Sequence, residues 1–337
     1  MTAGVATRFS LISLAGLLVL LALGCAGIAF GSTPIAPGEV ARVLAGALGL
    51  GDPVAGPLAR IVLDLRLPRV LLSVAVGMGL AVVGVLLQTT TRNDLADPFL
   101  FGLSSGAAAG AVSVITIFGD RLGVWTLPVA AFAGALVSAA AVLALMARQD
   151  GRGPERLVIA GLAVSFLFGA LTTFLVFSGD QRAAYSVLFW TAGGLGLASW
   201  TNLPLGLFGA GLALATGLAL RHRLDALLGG EETARSLGVD VGRLRLLVFA
   251  LAALATAALV ALSGVIGFVG LMVPHLARAL VGVRHGVLVA TSALIGAILL
   301  LASDLVSRIL LAPQELPVGI VTSAAGALFV LVVVLRR

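Results

Sequence analysis

Few side chains in this sequence can do chemistry, and their spacing narrows what that chemistry is. Asp304 and Arg308 stand four residues apart in an apolar run, which on a helix makes an ion pair on one face and not a proton relay. Ser263 precedes His275 by twelve residues, the one pairing of a hydroxyl with an intramembrane base that a hydrolase would need. No Gly-x-Ser-x-Gly turn surrounds Ser263, Ser104 or Ser105, and small polar residues in apolar segments ordinarily pack or hydrogen-bond. His275 follows Pro274, where a hydrogen-bonded histidine at a helix break is a commoner arrangement than a proton carrier. An ion-gradient-driven transporter would place carboxylates at mid-membrane; Asp304 is the deepest acid, and it sits at a span end beside Arg308. The chain has no lysine, so it cannot form a Walker A phosphate loop. Three histidines and one cysteine, Cys25, supply no metal motif and no disulfide.

The densest cluster of charge lies at residues 221–245, with five arginines and four acids between two apolar runs. Lipid cannot solvate such a segment, so it stands in water. Residues 223–228 have the apolar spacing of a short helix, and Gly229-Gly230 interrupts it. Glu231 and Glu232 open a second helix with acids in its first turn, where the helix dipole favours them, and Gly238 is placed to end it. Two short helices on a membrane surface form a docking surface; the plainer alternative is a solvated loop.

These residues have to be positioned by apolar spans. Hydrophobic residues make up 60% of the 337, charged residues 11%, and mean hydropathy is +1.16, which describes a polytopic membrane protein. The basic balance forms no stripe, which excludes nucleic acid as a partner and leaves charge as a topology signal. At about 20 residues per crossing, spans are expected near 10–30, 68–90, 98–117, 125–147, 157–178, 201–220, 246–263, 268–283, 287–303 and 317–335. The first is too long for a typical signal peptide and reads as a retained anchor. With both termini inside, the cytoplasmic segments carry Arg8, Arg92, Arg148, Arg152, Arg156, Arg221, Arg223, Arg235, Arg243, Arg245, Arg278, Arg284, Arg336 and Arg337. The outer segments carry half as many, Arg42, Arg60, Arg66, Arg69, Arg121, Arg182 and Arg308, in line with the positive-inside rule. The charged segment is thereby expected in the cytoplasm.

Most of the 43 glycines fall inside spans, where they let helix backbones approach closely. Arg66-Leu67-Pro68-Arg69 and Arg243-Leu244-Arg245 each open a span, one from each side, as an inverted repeat would.

Several stretches, in order over nearly the whole chain, resemble one family. They are Leu65-Arg66-Leu67-Pro68-Arg69, the span ending at Gln88, Arg92-Asn93-Asp94-Leu95-Ala96-Asp97-Pro98, residues 102–107, the charged segment, residues 264–275 and residues 315–322. They are similar to the permeases of binding-protein-dependent ABC importers for iron chelates, haem and vitamin B12. The resemblance implies an all-α permease of type II importer architecture, a single domain over 1–337 with ten spans and an ATPase-coupling loop at 221–245. It implies a homodimer in the bacterial inner membrane, two cytoplasmic ATPase subunits that bind ATP and Mg, and a periplasmic or lipid-anchored binding protein. No cofactor and no catalytic or metal site is implied in this chain, which is not itself an enzyme.

Residue by residue, the resemblance assigns ATPase coupling to Leu228, Gly230, Glu231, Glu232, Ala234, Leu237 and Gly238. It assigns docking of acidic residues on the binding protein to Arg66, Arg69 and Arg308, for which a forked, permanently charged guanidinium is suited. It assigns the cytoplasmic gate to Asn93 and Leu95, with a second part at residues 153–156. Asp94 stands where the family usually has proline, which predicts a less rigid gate loop. A ferric siderophore or haem is the expected cargo, with cobalamin and an ion-gradient-driven secondary transporter as alternatives.

Overall fold

The computed structural model describes residues 3–31, 33–117, 123, 125–147, 154–179 and 183–335. Arg121, Arg148, Arg152, Gly153, Arg182, Arg336 and Arg337 lie outside the described residues.

The described residues form helices joined by turns and loops, with no strand among them. In order they form α1 (Ala3–Ala29), α2 (Pro37–Ala47), α3 (Pro57–Arg60), a π-helical turn (Ile61–Arg66), α4 (Leu67–Thr91), a 3-10 turn (Pro98–Phe101), α5 (Leu103–Ile117), α6 (Thr126–Ala147) and α7 (Pro154–Ser178). There follow α8 (Ala183–Thr191), α9 (Leu203–Ala219), α10 (Arg221–Leu227), α11 (Glu231–Ser236), α12 (Val241–Ser263), α13 (Val269–Val281), α14 (His285–Ile309) and α15 (Val318–Leu335).

Six of these are long and apolar enough to cross a membrane: α1 from Phe9, the continuous run Pro57–Thr91, α6, α7 from Glu155, α12 and α14. The pair α9 and α10 would form a seventh, bent by 63° at its break. Shorter apolar helices occupy Leu103–Ile117, Val269–Val281 and Val318–Val333. Each expected span thus coincides with an apolar helix, but three fall short of a full crossing. For α13 the reason is local: Gly264 at φ 62° ends α12, and Phe268, itself at φ 67°, caps α13. The intervening backbone is irregular, which a membrane tolerates only inside protein or against a cavity. It is held there by Gly194 N–H donating to Ser263 O at 2.8 Å.

Helices α4 and α12 form the centre, with Val82, Val83, Val85, Leu86 and Leu87 fully buried against Val248, Phe249, Ala252 and Ala255. They run antiparallel, because Arg245 near the start of α12 reaches Thr90 near the end of α4. Arginines open both helices from opposite ends, as the weak internal similarity suggests. Glycines set the spacing. A Cβ at Gly84 would overlap the backbone of Gly270, one at Gly77 that of Gly296, and one at Gly134 that of Gly106. The periphery is apolar as well: on α7, Phe166, Leu167, Phe174 and Phe177 are exposed.

Candidate functional site

Two polar clusters sit at opposite ends of α4. At its start, Arg66 and Arg308 solve the problem of a helix end in an apolar setting. The last carbonyls of α1 have no partner within the helix. Arg66 Nη1 donates to Ile28 O and Ala29 O, each at 2.8 Å, and Nη2 donates to Thr33 O. Arg308 Nη1 donates to Gly27 O at 2.9 Å and Phe30 O at 3.2 Å. Cationic donors at a helix C-terminus also meet the negative end of its dipole. Arg69 Nε lies 3.0 Å from Asp304 Oδ1 and its Nη1 lies 2.7 Å from Glu315 Oε2. Asp304 Oδ2 lies 3.0 Å from Arg308 Nε, so the expected i, i+4 pair forms, within a larger network that includes Arg69.

The arginines expected to dock a binding protein are thus engaged within the chain. Arg66 and Arg308 are buried, and the Arg69 side chain is 15% exposed. All three turn inward to supply donors to buried carbonyls and to a fully buried carboxylate, although Ala29 O also accepts from Ile35 N–H at 3.0 Å. Their partners lie far away in sequence, so spacing alone does not reveal them.

At the other end of α4 stands the charged segment. Helix α10 ends at Leu227 and α11 opens at Glu231, with Gly230 at φ 100° between them and Gly238 at φ 80° after α11. Leu228, Glu232, Leu237 and Gly238 are exposed, and Gly230 is partly so. They form the outward face of the motif. Ala234 is completely buried and is a packing residue, which corrects its reading as a contact. Glu231 turns away from the Glu232 face: Oε1 lies 2.8 Å from Arg245 Nη2 and Oε2 lies 2.8 Å from Arg235 Nη2.

The loop of Asn93 and Leu95, expected as a gate, follows directly on α4. Arg92 adopts a left-handed conformation at φ 49°, and Asn93 N–H donates back to Gln88 O at 3.2 Å, closing the helix. Asn93 Oδ1 accepts from Leu95 N–H at 2.9 Å, so the carboxamide shapes the turn while Leu95 projects with 60% exposure. Asp94 Oδ1 lies 3.1 Å from Arg278 Nη1 on α13, an ion pair that restrains the loop where a proline would have stiffened it. Gln88 Nε2 donates to Gly270 O at 3.0 Å. Of residues 153–156, expected as a second part of that gate, Arg156 lies on the first turn of α7.

A cavity of about 540 Å³ opens between the 3-10 turn, the end of α8, residues 265–271 and the start of α15. Its walls are mostly apolar, including Phe99, Phe268 and Ile320, with Thr191 and Ser323 as small polar members. Asp97 forms part of its lining; Oδ1 accepts from Phe99 N–H at 2.9 Å, and burial pushes the carboxyl up to about 6. The residues weighed for other chemistry are otherwise engaged. Ser263 Oγ donates to Leu259 O at 3.1 Å, and the His275 ring packs edge-on against Phe329 with centroids 5.4 Å apart.

Sequence and structure comparisons agree on what shares this architecture. The chain is 42% identical over 271 residues to the cobalamin import system permease protein BtuC of Halobacterium salinarum, covering 80% of this chain and 72% of that one. It is 41% identical over 281 residues to the hemin transport system permease protein HmuU of Yersinia pestis, covering 82% and 83% respectively. A solved inward-facing conformation of a metal-chelate type ABC transporter superposes with a TM-score of 0.83 at 31% identity, covering 96% of this chain and 98% of that one. Residues 18–336 match the FecCD transport family, and the chain belongs to that family.

Proposed function

We infer that this chain is the membrane permease subunit of an ABC importer for a metal chelate, haem or cobalamin. The observation that carries the reading is the α10–α11 motif: a pair of short helices divided at Gly230 and ended at Gly238, presenting Leu228, Glu232 and Leu237, on a chain that belongs to a transport family and has no lysine for a phosphate loop. Such a surface fits a separate ATPase, which would supply ATP and Mg. Both termini and α10–α11 lie in the cytoplasm of a bacterial inner-membrane protein, and the end bearing Arg66, Arg69 and Arg308 faces a binding protein. There the arginines hold the rim in shape, while Glu315, Arg60 and Asp64 remain accessible to a partner. Two copies form a homodimer, with the path between them. The cavity lined by Phe99, Phe268 and Ile320 suits such a path, since mostly apolar walls interact weakly with a bulky chelate and release it. A ferric siderophore or haem is the favoured cargo, with cobalamin next.

The test is a mild-detergent purification of the tagged chain from its own host, with mass spectrometry of what accompanies it. A stoichiometric partner with a Walker A lysine supports the importer. A dimer without such a partner, even after crosslinking, and uptake that follows an ion gradient would replace it with secondary transport.

A further inference from the structure

Both short helices of the charged segment are wired by buried polar side chains to the same place, the last turn of α4. From α11, Glu231 Oε1 meets Arg245 Nη2 at 2.8 Å, and Arg245 Nε donates to Thr90 O at 3.0 Å. From α10, Asp225 Oδ1 accepts from His285 backbone N–H at 2.9 Å and lies 2.7 Å from its Nδ1; His285 Nε2 lies 2.8 Å from Thr89 Oγ1. A carboxylate only accepts, so Nδ1 carries a proton and the ring is oriented between the two helices. His285 is fully buried and Arg245 is 3% exposed, so neither is a surface contact.

The end of α4 offers the matching groups. Gln88 O is taken by Asn93 N–H and Thr89 O by Arg92 N–H. Thr90 O is one of the last four carbonyls that no intrahelical donor reaches, and Arg245 fills the vacancy with a cation at the negative helix end. Immediately beyond, Arg92 turns the chain into the loop of Asn93 and Leu95. A displacement of α10–α11 therefore pulls on adjacent residues that anchor this loop, through short contacts in a low-dielectric setting where breaking one partner is costly.

We propose that Arg245 and His285 are positioning residues that relay movement of α10–α11 to the Asn93–Leu95 loop through Thr90 and Thr89, with Glu231 an inward latch and not an ATPase contact. The relay rests on the importer reading above and adds the route by which it works. It also separates the two neighbouring acids: Glu232 faces outward, Glu231 inward.

The test uses the full permease with its ATPase in vesicles of native lipid, carrying Cys25→Ser and Leu95→Cys, and a water-soluble maleimide as probe. Labelling of the loop cysteine is timed with and without Mg·ATP plus vanadate. In the parent the rate should change by about tenfold, within the range of ordinary coupling between sites. Arg245→Met and His285→Leu should each reduce the change to below about twofold while the ATPase still co-purifies, and Arg245→Lys, which can meet one partner but not both, should be intermediate. The parent's full change in Arg245→Met and His285→Leu overturns the relay. If those two lose the ATPase or a monodisperse peak, Arg245→Lys decides, and a change equal to the parent's overturns it. A parent that carries no ATPase and does not respond to nucleotide overturns the importer reading and the relay with it.

Discussion

Arg69 and Asp304 meet at 3.0 Å across α4 and α14, joining residues 235 positions apart around a carboxylate with no solvent exposure. Arg308 approaches the other carboxylate oxygen and Glu315 takes the far side of Arg69, so two arginines and two acids hold α4, α14 and the segment before α15 together. Asp304→Asn should leave two guanidinium groups sharing Glu315 and lower stability by about 3–5 kcal/mol, the usual penalty for breaking a buried pair. Thermal unfolding in detergent, followed by size-exclusion of heated samples, reads the loss; an unchanged midpoint would show that the network contributes nothing.

Arg66 makes a different case, because its partners are carbonyls. Arg66→Ala should cost about 1–3 kcal/mol through the unsatisfied end of α1, whereas the exposed Arg60→Ala should stay within about 0.5 kcal/mol. The same thermal assay compares them. If Arg66→Ala were as stable as the parent yet failed to bind its soluble partner, Arg66 would be a docking residue after all.

Glu232→Arg and Leu237→Asp alter the exposed face of α10–α11 without touching a buried pair. Each should strip the ATPase from the purified permease, at least tenfold by quantitative co-purification, corresponding to about 1.4 kcal/mol. The permease peak itself should not move.

Asp97 makes stability depend on pH. Burial raises its carboxyl from 3.8 to about 6, so the folded state holds a proton that the unfolded chain releases earlier. The sign follows: this group favours folding most below pH 3.8, and the advantage is lost as pH rises through about 6. Asp97→Asn removes the ionisation, so above pH 7 it should be more stable than the parent by up to about 3 kcal/mol, with the gap closing toward pH 4. Unfolding midpoints at pH 5 and pH 8 decide; a parent-like slope in the variant would place the titrating group elsewhere.

Helix spacing can be tested at two glycines. Gly84→Ala pushes a methyl group into the Gly270 backbone and should cost about 1–3 kcal/mol or more, since neither backbone can yield easily. Gly169→Ala on α7, with open space around it, should be neutral or mildly stabilising, by up to about 1 kcal/mol from helix propensity. Equal yields of monodisperse protein from both would contradict the close approach of α4 and α13.

Much of this protein was determined by the sequence alone, because its governing properties are local. Some twenty apolar residues make a span wherever they occur. Gly230 and Gly238 break and end the short helices through their own backbone freedom, and the absence of lysine rules out a phosphate loop on its own. Ordered motifs along nearly the whole chain pointed to the family. What only the tertiary structure decided is direction. In a soluble protein, alternation of polar and apolar residues shows which face of a helix is buried, but here lipid and core are equally apolar, and Val85 and Phe166 look alike in sequence although one is buried and the other exposed. The same blindness extends to the arginines. Arg66, Arg69 and Arg308 have the types and spacing of surface receptors, and partners distant in sequence turn them inward. Asp94 finds Arg278, and Arg245 finds Thr90 and Glu231, only once α4, α12 and α13 are packed, because a buried charge takes its meaning from whichever donor or acceptor folding brings within about 3 Å.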